Sequence, residues 1–410
     1  LRHRTRTVAL LLFGSGFSAL VYQAVWLREF RLVFGASTPA SAAVLAIFMA
    51  GLGFGGLALG RRADRALNAL RFYGRLEIGI AVCAALSPGL FLLVRRLYVL
   101  TGGSPSLGIE AATVARLLLS AMVIGVPTFL MGGTLPAAAR AAATDEDRNR
   151  TGVALLYGAN TLGGVAGVLL ATFLMLEAIG IRESLWAACA LNGAIGLLAL
   201  RIARSAPAAA DRSACEEDSR IIVDSNRRPA TLLVLPAAGF VGFVFLVMEI
   251  VWYRMLGPLL GGSTYTFGLI LALVLLGIGA GGALYAVVGR RRLASLETFA
   301  LTGALEAAWI ALPLALGDRV ALLALRLQPF GSEDFFPRIL VWSAVASLVV
   351  LPAALVSGYQ FPLLVALLGE GRKKVGREGG LAYGWNTIGA IAGSLAAGFF
   401  LIETLTAPGT

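Results

Sequence analysis

Glu77, Glu249 and Glu306 stand inside long apolar stretches of this chain. A charged group at the centre of a bilayer costs about 2.5–3.5 kcal/mol on insertion scales, so each carboxylate needs a partner or a task. Carboxylates facing a water-filled cavity would suit a cationic solute or a proton relay. Glu77 and Glu306 fall at the same distance after a glycine, Gly60 or Gly289, in two similar segments. A structural alternative pairs Glu77 with Arg61, Arg62 or Arg75, and Glu306 with Arg290, Arg291 or Arg292, at the membrane edge. Glu249 stands where the first segment carries Gln23. Around it, Tyr22, Trp26 and Trp252 could offer aromatic faces to an amine. Alternatively the tryptophans anchor helices at the interface, and Glu249 neutralises Arg254 or Arg28. No catalytic constellation accompanies these six candidate binding residues. Cys83, Cys189 and Cys215 are scattered and His3 is the single histidine, so neither a metal site, a cofactor nor a disulfide framework is expected.

The elements that must position these groups are membrane helices. Hydrophobic residues make up 58% of the chain and charged ones 14%, against about a quarter in soluble domains. Eleven apolar runs long enough to cross a bilayer lie at 8–30, 36–59, 74–94, 113–139, 152–178, 184–202, 231–254, 263–288, 296–316, 339–366 and 381–404. The chain also repeats itself. Val25-Trp26-Leu27-Arg28 returns as Val251-Trp252-Tyr253-Arg254, and Tyr157-Gly158-Ala159-Asn160-Thr161 returns at the same offset as Tyr383-Gly384-Trp385-Asn386-Thr387. The expectation is an all-α polytopic membrane protein of two parallel six-helix repeats, 1–202 and 230–410, joined by a charged linker at 203–229. The copy of the sixth run would fall past Thr410, so eleven helices are expected here and the twelfth is expected to be missing.

Charge placement orients the chain. Most of the 34 Lys and Arg fall in alternate connections on the side of the N-terminus, which the positive-inside rule assigns to the cytoplasm of a bacterial plasma membrane. Sparse charges such as Arg95, Arg96, Arg182 and Arg319 are left on the other side. The net charge of +11 therefore points to anionic lipid headgroups as partner rather than to nucleic acid. Gly51, Gly53, Gly55 and Gly56 match Gly277, Gly279, Gly281 and Gly282. Within apolar helices such spacing suits close helix packing, not a nucleotide loop, which needs a strand before it. Asn160 and Asn386, in matched glycine-rich helices, could bridge helices through their amides. Prolines at 127 and 136, and at 352 and 362, interrupt the fourth and tenth runs, as a kink or as a moving element beside a cavity.

Four stretches together carry a resemblance: Gly14 to Trp26, the glycine run from Gly51 into Arg61-Arg62-Ala63-Asp64-Arg65, Pro127 to Pro136, and Tyr157 to Gly163. They resemble the membrane part of bacterial fused major-facilitator/spermidine synthase proteins. That resemblance implies halves of major-facilitator type and a fused aminopropyltransferase domain, which this chain does not contain. It also implies a transporter-like module handling a polyamine or related small cation, or else a membrane scaffold for the synthase, or an independent secondary transporter. Gly60, Asp64 and Arg65 are similar to the major-facilitator signature between the second and third helices, in which acidic and basic groups latch one side. The second half keeps Gly289-Arg290-Arg291-Arg292 but carries Leu293 where the Asp would fall.

Overall fold

The computed structural model describes residues 2–410 apart from 36–37, 145–146, 148, 206–227, 262–263, 292, 332–333 and 370–373. Most of the expected linker, with Cys215, lies outside the described residues. The first half consists of α1 (Arg2–Phe34), α2 (Thr38–Arg65), α3 (Ala69–Leu100), α4 (Gly103–Gly132), α5 (Thr134–Ala142), α6 (Thr151–Leu170) and α7 (Ile181–Ser205). The second comprises α8 (Arg228–Leu256), α9 (Thr264–Val288), α10 (Leu296–Leu316), α11 (Arg319–Leu327), α12 (Phe335–Leu368), α13 (Val375–Ala396) and α14 (Ile402–Gly409). Among the described residues, ten helices are long and apolar enough to cross a membrane. The run expected at 381–404 becomes α13, a π turn and α14, and is not among the ten.

The glycine pattern has a geometric reason. On α2, Gly51 and Gly55 sit one turn apart against Thr128 and Phe129 of α4, inside the first half. Gly53, Gly56 and Gly60 lie on another face, against Thr387, Tyr383 and the Gly376 carbonyl of α13 in the second half. α9 repeats the arrangement. Gly277 and Gly281 meet Ala354 and Leu355 of α12, while Gly279 and Gly282 meet Leu162 and Tyr157 of α6. Each glycine helix thus packs two neighbours at backbone distance, and the halves join through α2 with α13 and α6 with α9.

Within each half the contacts obey the repeat. Gly16 meets Asn160 as Gly242 meets Asn386, and Gly167 meets Phe17 as Gly393 meets Phe243. The Asn386 amide donates to the Ala238 carbonyl at 3.2 Å, joining α13 to α8. The proline-marked runs differ between the copies. The first breaks at Gly133 into α4 and α5, with the Thr134 hydroxyl donating to the Met131 carbonyl at 2.8 Å, whereas α12 passes unbroken through Pro352 and Pro362. The repeat puts Tyr359 where the first copy has Gly133, so the second copy lacks the glycine pair at which the first one breaks.

Candidate functional site

Glu77 is fully buried on α3. Asn192 of α7 donates to its carboxylate at 2.8 Å and to its backbone carbonyl at 3.0 Å, and the hydroxyls of Ser15 and Tyr73 face the same carboxyl. The partner is therefore an amide in the interior of the first half, not one of the arginines at 61, 62 or 75. Removing it with Asn192→Ala is expected to lower unfolding stability in mild detergent by about 1–3 kcal/mol, the cost of stranding a buried polar group. Glu306 is likewise buried, but its partner is Gln360 of α12, which donates at 2.9 Å. The offset from Glu77 to Glu306 is 229 residues while the repeat runs at 226, and three residues turn a helix by about 300°. The two carboxylates therefore face different neighbours, and neither sits between the halves.

Glu249 differs from both. It is half-buried on α8, and among the described residues it makes no hydrogen bond or ion pair, with Arg254 and Arg28 included. Its counterpart Gln23 lines a small cavity of about 40 Å³ between α1, the Thr172 region and Phe267 and Gly268 of α9, where the halves meet. α8 likewise packs against the turn that follows α13. The aromatic candidates lie elsewhere. Tyr22 stacks on Trp26 at 5.3 Å, and Trp26 donates to the Ser87 hydroxyl at 3.1 Å, all within the core of the first half. Trp252 is buried in the second half with its ring 6.2 Å from Phe245. None of the three anchors a lipid-facing edge, because each is almost completely buried.

The arginine-rich end carries the densest polar contacts between the halves. Asp64, at the end of α2, accepts from the backbone N–H groups of Gly376 at 2.9 Å and Arg377 at 2.7 Å, at the N-terminus of α13. A carboxylate there also meets the positive end of the helix dipole. A Cβ on Gly60 would run into the Gly376 carbonyl, so glycine permits the approach. Arg65 is exposed to solvent at this end. Arg150, almost wholly buried, pairs with Glu378 of α13 and also donates to the Val365 carbonyl at 3.4 Å. On the other side of the same end, the Asn149 amide donates to the Gly289 carbonyl at 2.6 Å and the Tyr285 hydroxyl donates to the Asn149 carbonyl at 3.2 Å. The second half, lacking an Asp after Gly289, uses this carbonyl in place of a carboxylate.

At the opposite end a feature with no sequence signal appears. α6 continues into a π turn at Ala171–Met175, and α13 into one at Ala397–Leu401. Ala171 and Ala397 are 226 residues apart, so the turns obey the repeat. Single π turns inside α-helices are frequent at functional sites. Phe173 of the first turn stacks on Tyr265 of α9 at 5.6 Å, and Tyr265 meets Phe335 of α12 edge-on at 5.2 Å.

No family model and no curated protein matches this sequence. Solved structures do match its fold. A human organic anion transporter, MFSD10 (TETRAN), superposes with a TM-score of 0.58 at 14% identity, over 99% of this chain and 95% of that one. The proton:xylose symporter XylE, bound to a bromodeoxyglucose, gives 0.53 at 14% identity over 98% and 89%. A bacterial homologue of the iron transporter ferroportin, in an outward-facing state, gives 0.52 at 11% identity over 96% and 91%. Their named cargoes share no chemistry, so the likeness concerns architecture and leaves cargo open. With helices paired across the halves as α2 with α13 and α6 with α9, this chain is an all-α, multi-pass membrane protein with the fold of the major facilitator superfamily.

Proposed function

We propose that the chain is a transporter-like module of a bacterial plasma membrane whose two halves rock against each other, with the arginine-rich end in the cytoplasm. One observation carries the reading: the cytoplasmic closure consists of separable polar contacts, Asp64 on the start of α13 and Arg150 with Glu378, between helices faced with glycine. Such contacts can be made and broken as a unit, which an interlocked apolar core cannot do. The cargo we assign is a small organic cation of polyamine type, and Glu249 is its counter-charge. The resemblance to fused spermidine synthase proteins supports that cargo class, and the unpaired state of Glu249 among the described residues supports its role.

Labelled spermidine uptake into proteoliposomes tests this reading. Uptake by the native chain and a loss of about tenfold or more in Glu249→Gln, with unfolding behaviour unchanged, is the expected result. A second reading, a scaffold that anchors a synthase domain, is favoured by Glu77 and Glu306 each being hydrogen-bonded to an amide inside its own half. Absence of uptake by the native chain across a panel of polyamines would decide for the scaffold.

A further inference from the structure

Two of the arginines that the positive-inside rule leaves over come together. Arg95 of α3 and Arg182 of α7 line one cavity of about 370 Å³, together with Glu29 of α1, at the end of the first half opposite the basic loops. The cavity lies between helices of one half, apart from the contact of the two halves. Its remaining wall is apolar, with Pro88, Phe91 and Leu92 prominent. Pro88 has no N–H to offer the preceding turn of α3, so one carbonyl of that turn lacks its helical donor at the cavity wall. Leu32 and Leu92 on its rim are 73% and 57% exposed, so the cavity opens sideways, where hydrocarbon would surround the chain.

The charges are not inherited from the duplicated architecture. At the repeat offset of 226, Met255 stands for Glu29 and Ala321 for Arg95. Only the first half carries the set. Two guanidinium groups and one carboxylate at the end of an apolar trough complement a molecule with one phosphate, one ammonium and an acyl chain. Guanidinium groups bind phosphate through paired, charge-assisted hydrogen bonds. Glu29 has Arg28 and Arg182 as its neighbouring cations and can accept from an ammonium at the same rim.

We propose that this cavity binds a zwitterionic ethanolamine phospholipid from the leaflet opposite the basic loops. Its phosphate lies between Arg95 and Arg182, its ammonium is at Glu29, and one acyl chain rests on Pro88, Phe91 and Leu92. Native mass spectrometry of the full chain, delipidated and titrated with ethanolamine, choline or glycerol phospholipids of matched acyl chains, tests the site. The expected result is retention of the ethanolamine lipid over the choline lipid by about tenfold, the effect of one charge-assisted hydrogen bond. Arg95→Gln with Arg182→Gln lowers retention of all three lipids, since each carries the phosphate. Glu29→Gln switches it towards the glycerol lipid, a gain that a merely misfolded variant would not show. Arg96→Gln, outside the cavity lining, serves as the control. No headgroup preference in the native chain, a preference that survives Glu29→Gln, or unchanged lipid retention in the double arginine variant would overturn the proposal.

Discussion

Arg150→Met is expected to be among the most destabilising single substitutions in the chain. Arg150 is 1% exposed and its partner Glu378 is 19% exposed, so removing the guanidinium takes a paired cation from a largely desolvated carboxylate. Breaking a buried pair from one side typically costs about 3–5 kcal/mol, and the partial exposure of Glu378 puts the expected loss near the lower figure. The contact lies between halves, so the loss has a direction. Denaturation in detergent should show the lowered stability, and cysteine probes at the arginine-rich end should become more reactive as that end opens. Pairing the change with Glu378→Gln tests the cause. The double variant should recover much of the stability, since replacing both charges removes the stranded group. A double variant no better than the single one would show that Arg150 acts through packing and its bond to the Val365 carbonyl rather than through Glu378.

The second large effect comes from two adjacent glycines. On α13, a Cβ at Gly380 would collide with the Gly56 carbonyl of α2, whereas a Cβ at Gly379 meets nothing within 4 Å. Gly380→Val is therefore expected to force the halves apart at a point of backbone contact, at a cost of about 3 kcal/mol, the upper part of the usual range for overpacking. Gly379→Ala should be neutral or stabilising by about 0.5–1 kcal/mol, because alanine holds a helix better than glycine. Unfolding of the two variants side by side checks the assignment. Equal effects would mean that helix propensity, not contact between the halves, governs both positions.

Much of this architecture could be read from residue order because duplication preserves spacing. Val25 with Val251 and Asn160 with Asn386 fix one register, and the structure repeats its helix contacts in that register. The glycine clusters were legible as packing positions, but not the division of labour between their faces, which depends on which neighbour each turn meets. Partners distant in sequence were not legible. Glu77 had arginines close by in the chain, yet its bond is to Asn192, 115 residues away and marked by nothing but its amide. Arg150 looked like one more topology-setting cation. Its one signal was a break in the repeat, since the matching position holds Gly376, the residue whose N–H meets Asp64. Arg95 and Arg182 were visible as exceptions to a charge rule, but only the fold brings them to one cavity with Glu29.

The paired π turns have a consequence for how these helices can move. A π turn holds one residue more than an α turn needs, a small reserve of length wound into the rod. Taking up that residue would swing everything beyond it by about 100° and draw it in by about 1.5 Å. Below the turns, α6 and α13 are pinned by Arg150, Asn149 and Glu378; within one of them, Phe173 grips Tyr265. Slack placed beyond a fixed end lets the far end turn while the near one stays seated. The two halves hold that slack at matching positions, so α6 and α13, one from each half, each have a swivel of their own.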